Sequence, residues 1–180
     1  MKTRLFRRFS RIAAAALLAA GMIAPGTAGA QQADRKDDPD FVTAGAGVFD
    51  FNDNRTSGMG ALEYRSDKKF LFLKPFAGIN VNFDYGGMVY AGVLMDIYLG
   101  RRLVVTPNFA PGFYWEGDGK DLGYPLEFRS GIEVSYRFDN RSRLGIAVHH
   151  ISNASISDNN PGTETVMLVY SHPFGDMFGR

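Results

Sequence analysis

The chain has 180 residues, with twenty Lys and Arg against nineteen Asp and Glu, for a formal net charge of +1. That length suits one ordinary domain. The lack of cysteine excludes disulfide frameworks, thiolate nucleophiles and Cys-ligated zinc, and three histidines (His149, His150 and His172) leave little material for a His-based metal site. Basic residues crowd the start: Lys2, Arg4, Arg7, Arg8 and Arg11 precede the first acid, Asp34. Without its first thirty residues the chain carries fifteen basic and nineteen acidic groups, which excludes the sustained basic surface of a nucleic-acid binder.

The first segment reads as an address. A positive stretch from Lys2 to Arg11 precedes the apolar run Ile12 to Ile23; Pro25 and Gly26 then break any helix, and Ala28-Gly29-Ala30 supplies small residues for cleavage. The run is too short to span a bilayer, so residues 1–30 are expected to be a cleaved signal peptide. Residues 31–40 are polar and predicted to be a flexible lead-in.

From Phe41 onward, apolar and polar residues alternate with period two, punctuated by turn-rich patches such as DFNDNRTSG, EGDGKDLG and SISDNNPG. The predicted strands are 41–51, 58–66, 69–83, 87–99, 102–114, 123–138, 142–154 and 162–174. In the fourth, Val89, Ala91, Val93, Met95, Ile97 and Leu99 share a face. In the sixth, Leu126, Phe128, Ile132, Val134, Tyr136 and Phe138 share one, interrupted only by Ser130, and the other face carries Glu127, Arg129, Glu133 and Arg137.

A soluble barrel would turn the apolar face inward; an outer-membrane barrel turns it to lipid and fills its lumen with the polar face. Alternation alone does not choose. The long strands, the small residues mixed with ionic ones on the polar face, and a last strand running Val166, Leu168, Tyr170, His172, Phe174 favour the membrane. The expected fold is therefore all-β: an eight-stranded antiparallel transmembrane barrel over 41–174, with an interior filled by side chains and a short C-terminal extension over 175–180. Pro75, Pro107, Pro111, Pro125 and Pro173 fall within the predicted strands and are expected at bulges or strand ends, because proline cannot donate to a ladder.

The segment that carries chemistry is VHHISNASISDNNPGTETV. Leu144, Ile146, Val148, His150 and Ser152 alternate onto one face of the seventh predicted strand. Pairing His150 opposite Glu164 of the eighth keeps both on the outward face, with Cβ atoms roughly 4.5–5.5 Å apart. Ser152 lies two residues further along, roughly 6.5–7 Å away. Serine, histidine and a carboxylate on one surface are the parts of nucleophilic acyl transfer. Setting polar groups on a lipid-facing stripe is costly, about 2–4 kcal/mol for a basic residue at mid-membrane and falling toward zero near the interface. With a periplasmic N-terminus, the loop 154–161 is extracellular and the three residues face the outer leaflet.

The run His150-Ile151-Ser152-Asn153-Ala154, followed by Asn160-Pro161-Gly162 and Glu164, resembles the signature of the outer-membrane lipid A 3-O-deacylases, the PagL family. The resemblance implies a serine esterase on an eight-stranded barrel, hydrolysing the 3-position acyl ester of lipid A and releasing a 3-hydroxy fatty acid. By that resemblance Ser152 is the nucleophile, His150 the general base and Glu164 the orienting acid. Asn153 matches a position important for activity, Asn160 the side-chain donor of an oxyanion hole, and the Ser155 amide a second donor where some relatives have glycine. The implied partners are lipopolysaccharide and outer-membrane lipid. No cofactor or metal is implied, and the oligomeric state, a homodimer included, stays open.

Other polar groups are expected to be structural. His149 has lumen parity, and His172 is interfacial. Tyr114, Trp115 and Tyr124 are expected in an aromatic girdle, Asp118 and Asp121 in a solvated loop rather than an ion site, and Glu127 or Glu133 in lumen pairs with Arg129 or Arg137. The alternatives to an esterase are a non-catalytic small barrel with a structural or partner-binding role and, more weakly, a soluble periplasmic barrel with a hydrophobic ligand.

Overall fold

The computed structural model describes residues 38–175; the expected signal peptide, residues 31–37 of the lead-in and residues 176–180 of the C-terminal extension lie outside the described residues. The strands are β1 (Phe41–Phe49), β2 (Ser57–Arg65), β3 (Lys74–Asn82), β4 (Gly87–Leu94), β5 (Ile97–Leu99), β6 (Leu103–Trp115), β7 (Leu126–Arg137), β8 (Arg143–Ser152) and β9 (Thr163–Pro173). Every pairing is antiparallel, β1 pairs with β9, and β4 pairs with β6. The sheet therefore closes on itself and leaves no free edge.

β4 and β5 are two parts of one staircase strand. Leu94 opposes Asn108 and Ile97 opposes Val105, so the register against β6 runs unchanged across Met95 and Asp96. The interruption falls opposite Pro107, whose carbonyl still accepts from the Met95 amide at 3.1 Å but which has no N–H to return. Counted this way, the wall has the eight strands that the alternation predicts. Several strands are shorter than expected. The largest trim is at 69–73, which forms a turn leading into β3 rather than its first half.

Alternation sorts the wall into two chemistries. On β7, Ile132, Val134 and Tyr136 are exposed while Glu127, Arg129, Glu133 and Ser135 are buried. On β8, Leu144, Ile146 and Val148 are exposed while Arg143, Ala147 and His149 are buried. The same pattern on β2, β3, β4, β6 and β9 clothes the outside in aliphatic and aromatic side chains, as lipid contact demands.

The lumen holds stacked ionic clusters separated by apolar filler. At mid-height, Glu63 receives Arg65 at 2.7 Å and Arg129 at 2.9 Å, and Arg65 also reaches Glu133 at 2.8 Å. Tyr90 donates its hydroxyl to Glu63 at 2.9 Å. Toward the end where β1 begins, Arg143 bridges Asp38 at 2.7 Å and Asp96 at 2.8 Å, and Lys74 joins Asp96 at 2.8 Å. Each charge is thus desolvated next to its complement, the condition under which burial is tolerated. Phe49, Met59, Phe76, Met88, Leu94, Leu122 and Met167 pack around and between them.

Two expectations for the interior need correction. The lumen partners of β7 do not come from β7 itself: Glu133 pairs with Arg65, Arg129 with Glu63 and Arg137 with Asp38, because side chains in a narrow barrel meet across the lumen rather than along a strand. Glu127, buried, has no hydrogen-bond partner on either carboxyl oxygen among the described residues. Tyr114 also departs from the expected girdle. Its parity turns it inward, where its ring stacks on Phe49 at 6.4 Å and its hydroxyl donates to the Lys120 carbonyl at 2.6 Å.

Candidate active site

The site occupies the end of the β8–β9 hairpin, opposite the end where the chain enters the barrel. In the antiparallel register His150 directly opposes Glu164. Both side chains point away from the lumen, as their neighbours show: His149 and Ile151 on β8, and Thr163 and Thr165 on β9, are all buried. The imidazole Nδ1 lies 3.1 Å from Glu164 Oε1. A carboxylate accepts, so Nδ1 carries a proton, and in the neutral ring that leaves the lone pair on Nε2. Asn52, on the loop after β1, lies near the Glu164 carboxylate.

Ser152 is half-buried on the same outward stripe, opposite Phe128 of β7. Its hydroxyl makes no hydrogen bond among the described residues, so its proton and lone pairs are uncommitted. Phe128 stacks on Phe109 with ring centroids 6.0 Å apart, placing an apolar platform beside the hydroxyl.

Past Ser152 the chain reverses sharply. Ala154 and Ser155 have φ of 54° and 63°, and the Ile156 amide donates to the Asn153 carbonyl at 3.0 Å. Two consecutive left-handed residues inside such a bond form the tight turn that glycine or asparagine ordinarily occupies. Alanine and serine there store strain of about 1–2 kcal/mol each. Asn153, fully buried, holds the loop: its amide nitrogen donates to the carbonyls of Leu122 at 3.2 Å and Asn159 at 2.8 Å, and its Oδ1 accepts from the Ser155 amide at 3.0 Å. The Ser155 N–H is therefore engaged within the loop, whereas the resemblance implied a donor to substrate.

Asn160 is oriented differently. Its Oδ1 accepts from the Asn153 amide at 3.1 Å, which fixes the carboxamide and turns Nδ2 the other way. The contact of Nδ2 with Ser155 Oγ is 3.5 Å long, at the limit of a hydrogen bond, so that donor is available to a ligand.

Two features escaped the sequence reading. Gly162 has φ of 63°, and a Cβ there would lie 3.1 Å from His150 Cε1, so the imidazole rests against bare backbone. Beneath Glu164, on the lumen side of the wall, Thr163 donates to Asp50 Oδ1 at 2.9 Å and Lys120 reaches the same oxygen at 2.6 Å. Asp50 is fully buried, has φ of 54° and also accepts from the Arg55 amide at 3.1 Å. The loops after β1 and after β6 and the first residue of β9 thus meet at one carboxylate directly behind Glu164. A Gly after Pro161 and an Asp–Lys pair seventy positions apart give no local sequence signal for such roles.

The remaining histidines behave as their parity predicts. His149 is buried, with Nε2 accepting from Arg129 at 2.7 Å and Nδ1 against Thr165 Oγ1 at 3.2 Å. His172 is on the outer face at the opposite end, 3.4 Å from the Tyr170 hydroxyl. Among the described residues no group of His, Asp and Glu is arranged to hold a metal ion.

The sequence profile of the family described as "Lipid A 3-O-deacylase (PagL)" matches residues 83–173, just over half the chain and all of the site except Asn52 and Asp50. The chain belongs to this family. Lipid A deacylase PagL of Bordetella bronchiseptica is 33% identical over 55 residues, a stretch covering 31% of each protein, so less than a third of that relative's length is matched. The crystal structure of the outer membrane enzyme PagL superposes with a TM-score of 0.59 at 20% identity, covering 74% of this chain and 99% of that one. The PagL-family chain described here is accordingly an outer-membrane β-barrel with a polar constellation on its outer wall.

Proposed function

We propose that this protein is a lipid A 3-O-deacylase working as a serine esterase, with Ser152 as nucleophile, His150 as base and Glu164 as orienting acid. The observation that carries the reading is the His150–Glu164 hydrogen bond on the outward, lipid-facing side, with Ser152 on the same stripe. A histidine and a carboxylate paired there can serve a reaction only with a molecule lying in the membrane beside the wall. The rim location supports the extracellular leaflet, whose glycolipid carries acyl esters at that height.

The steps follow from the tautomer. Nε2 of His150 takes the hydroxyl proton as Ser152 Oγ bonds to the carbonyl carbon of the 3-position ester. Negative charge gathers on the carbonyl oxygen, and Asn160 Nδ2 donates to it. Collapse breaks the bond to the sugar oxygen, which takes the proton from His150. Water, deprotonated by the same nitrogen, then attacks the acyl-serine; the acyl–Oγ bond breaks, Ser152 Oγ takes the proton back from His150, and the 3-hydroxy fatty acid leaves. Glu164 keeps Nδ1 protonated and balances the imidazolium formed in each half. Apo separations between nucleophile and base commonly tighten only with substrate bound.

The test is mass spectrometry of lipid A from Gram-negative cells expressing the chain or its Ser152→Ala variant. Loss of one 3-hydroxyacyl group with the wild type, and its retention with the variant at equal barrel abundance, is the expected result. Deacylation that persists in Ser152→Ala would remove Ser152 from the mechanism.

A further inference from the structure

The β2–β3 turn, at the end of the barrel remote from the active site, carries a feature that esterase chemistry does not use. Phe70, Leu71 and Phe72 are 79%, 79% and 61% exposed, a contiguous apolar tip. The tip is a closed two-residue turn: the Phe70 amide donates to the Leu73 carbonyl at 2.9 Å and the Leu73 amide donates back at 3.1 Å. Leu71 has φ of 59°, the position at which such a turn favours glycine. Glycine would relax the backbone but leave the tip bare; the leucine projects a side chain that no described residue covers.

Its surroundings narrow what covers it. Leu62, Tyr64 and Ile79 on the flanking strands are exposed on the lipid-facing side of the wall, so the tip prolongs that surface. Tyr64 meets Phe174 edge-on at 5.7 Å, marking an aromatic level at this end. Exposed Lys68 and Lys69 immediately precede the tip. The other turns at this end, residues 100–102 and 138–142, add Arg101, Arg102 and Arg141, so the segments outside the strands hold five bases and four acids (Asp38, Asp40, Asp67 and Asp139). The loops at the active-site end hold seven acids (Asp50, Asp53, Asp84, Glu116, Asp118, Asp121, Asp158) and two bases (Arg55 and Lys120). Apolar side chains beside two exposed lysines, at an end far less acidic than the other, match the interface of an anionic phospholipid leaflet.

We propose that the β2–β3 turn is an interfacial anchor, laying Phe70, Leu71 and Phe72 among the acyl chains of the phospholipid leaflet opposite the active site, with Lys68 and Lys69 at its phosphates. The anchor sets the depth at which the barrel rides. Nothing in it depends on the esterase assignment.

The experiment places a single tryptophan on the tip, Phe72→Trp in a Trp115→Phe background. The full chain is reconstituted in vesicles of phosphatidylethanolamine and phosphatidylglycerol, and folding is verified by heat-modifiable migration. A Phe70→Trp version guards against local disturbance at one position. Acyl-brominated phospholipid should quench the tip about as strongly as it quenches a wall control, Leu62→Trp, and iodide should not. Lys68→Gln with Lys69→Gln should weaken quenching in these vesicles and leave it unchanged in pure phosphatidylcholine. A tip tryptophan with water-like emission, quenched by iodide and not by bromine, overturns the proposal and marks the turn as a protein-docking knob. Quenching indifferent to both the lysines and the headgroup overturns the phosphate contact.

Discussion

Gly162 offers a sharp test of how the base is held. An alanine there meets two penalties. Its backbone must keep φ near 63°, which costs an L-residue about 1–2 kcal/mol. Its Cβ would also stand 3.1 Å from His150 Cε1, closer than carbon atoms settle, so the imidazole must back away by a few tenths of an ångström. The Nδ1–Glu164 hydrogen bond is already 3.1 Å long, near the upper end of the usual range, and has little slack to absorb that retreat. Misplacement of about 1 Å at a reacting group costs on the order of 100-fold in rate, so a shift of this size predicts a loss of roughly tenfold. Gly100→Ala is the matched control, because Gly100 has φ of 78° with nothing within 4 Å of the built Cβ. Both variants should lose similar stability in urea unfolding from vesicles. Only Gly162→Ala should slow release of 3-hydroxy fatty acid from lipid A in micelles, followed by mass spectrometry. Equal activity of the two variants would refute the view that bare backbone at 162 seats the base.

Asn160→Ala removes the free Nδ2 donor and also the acceptor of the Asn153 amide; a fall in kcat of about 10²–10³, with a smaller change in KM, is expected from steady-state kinetics. Asn160→Asp keeps the acceptor and loses the donor, and should be as slow with better loop stability. Lys120→Met strands the Asp50 carboxylate in the wall; losing one partner of a buried pair typically costs about 3–5 kcal/mol, readable as a lower urea midpoint, and Lys120→Arg should restore part of it.

The parts of the molecule legible in sequence are those governed by period-two alternation. Strand parity places His150, Ser152 and Glu164 outward and His149 inward, and pairing residue 150 with 164 is the register that keeps that parity on both strands of the hairpin. What alternation does not encode is how facing walls meet. Arg65 finding Glu133, or Lys120 finding Asp50, depends on barrel closure, which sequence neighbours do not report. The segment Lys69–Leu73 reads as strand because consecutive apolar residues fit either a strand or an apolar turn, and only the left-handed Leu71 separates the two. The loop after Ser152 was legible as a motif but not as geometry: the engagement of the Ser155 amide by Asn153 depends on a turn built from Ala and Ser rather than glycine.

The ion pairs that fill the bore have a consequence for the cell. With Arg143, Glu63, Arg129 and Glu133 all buried and cross-linked, the cylinder is a solid post rather than a conduit. Such a barrel can sit in a membrane without opening a path through it. The chemistry proposed for it, carried on the bark rather than in the heartwood, loses nothing by the blockage.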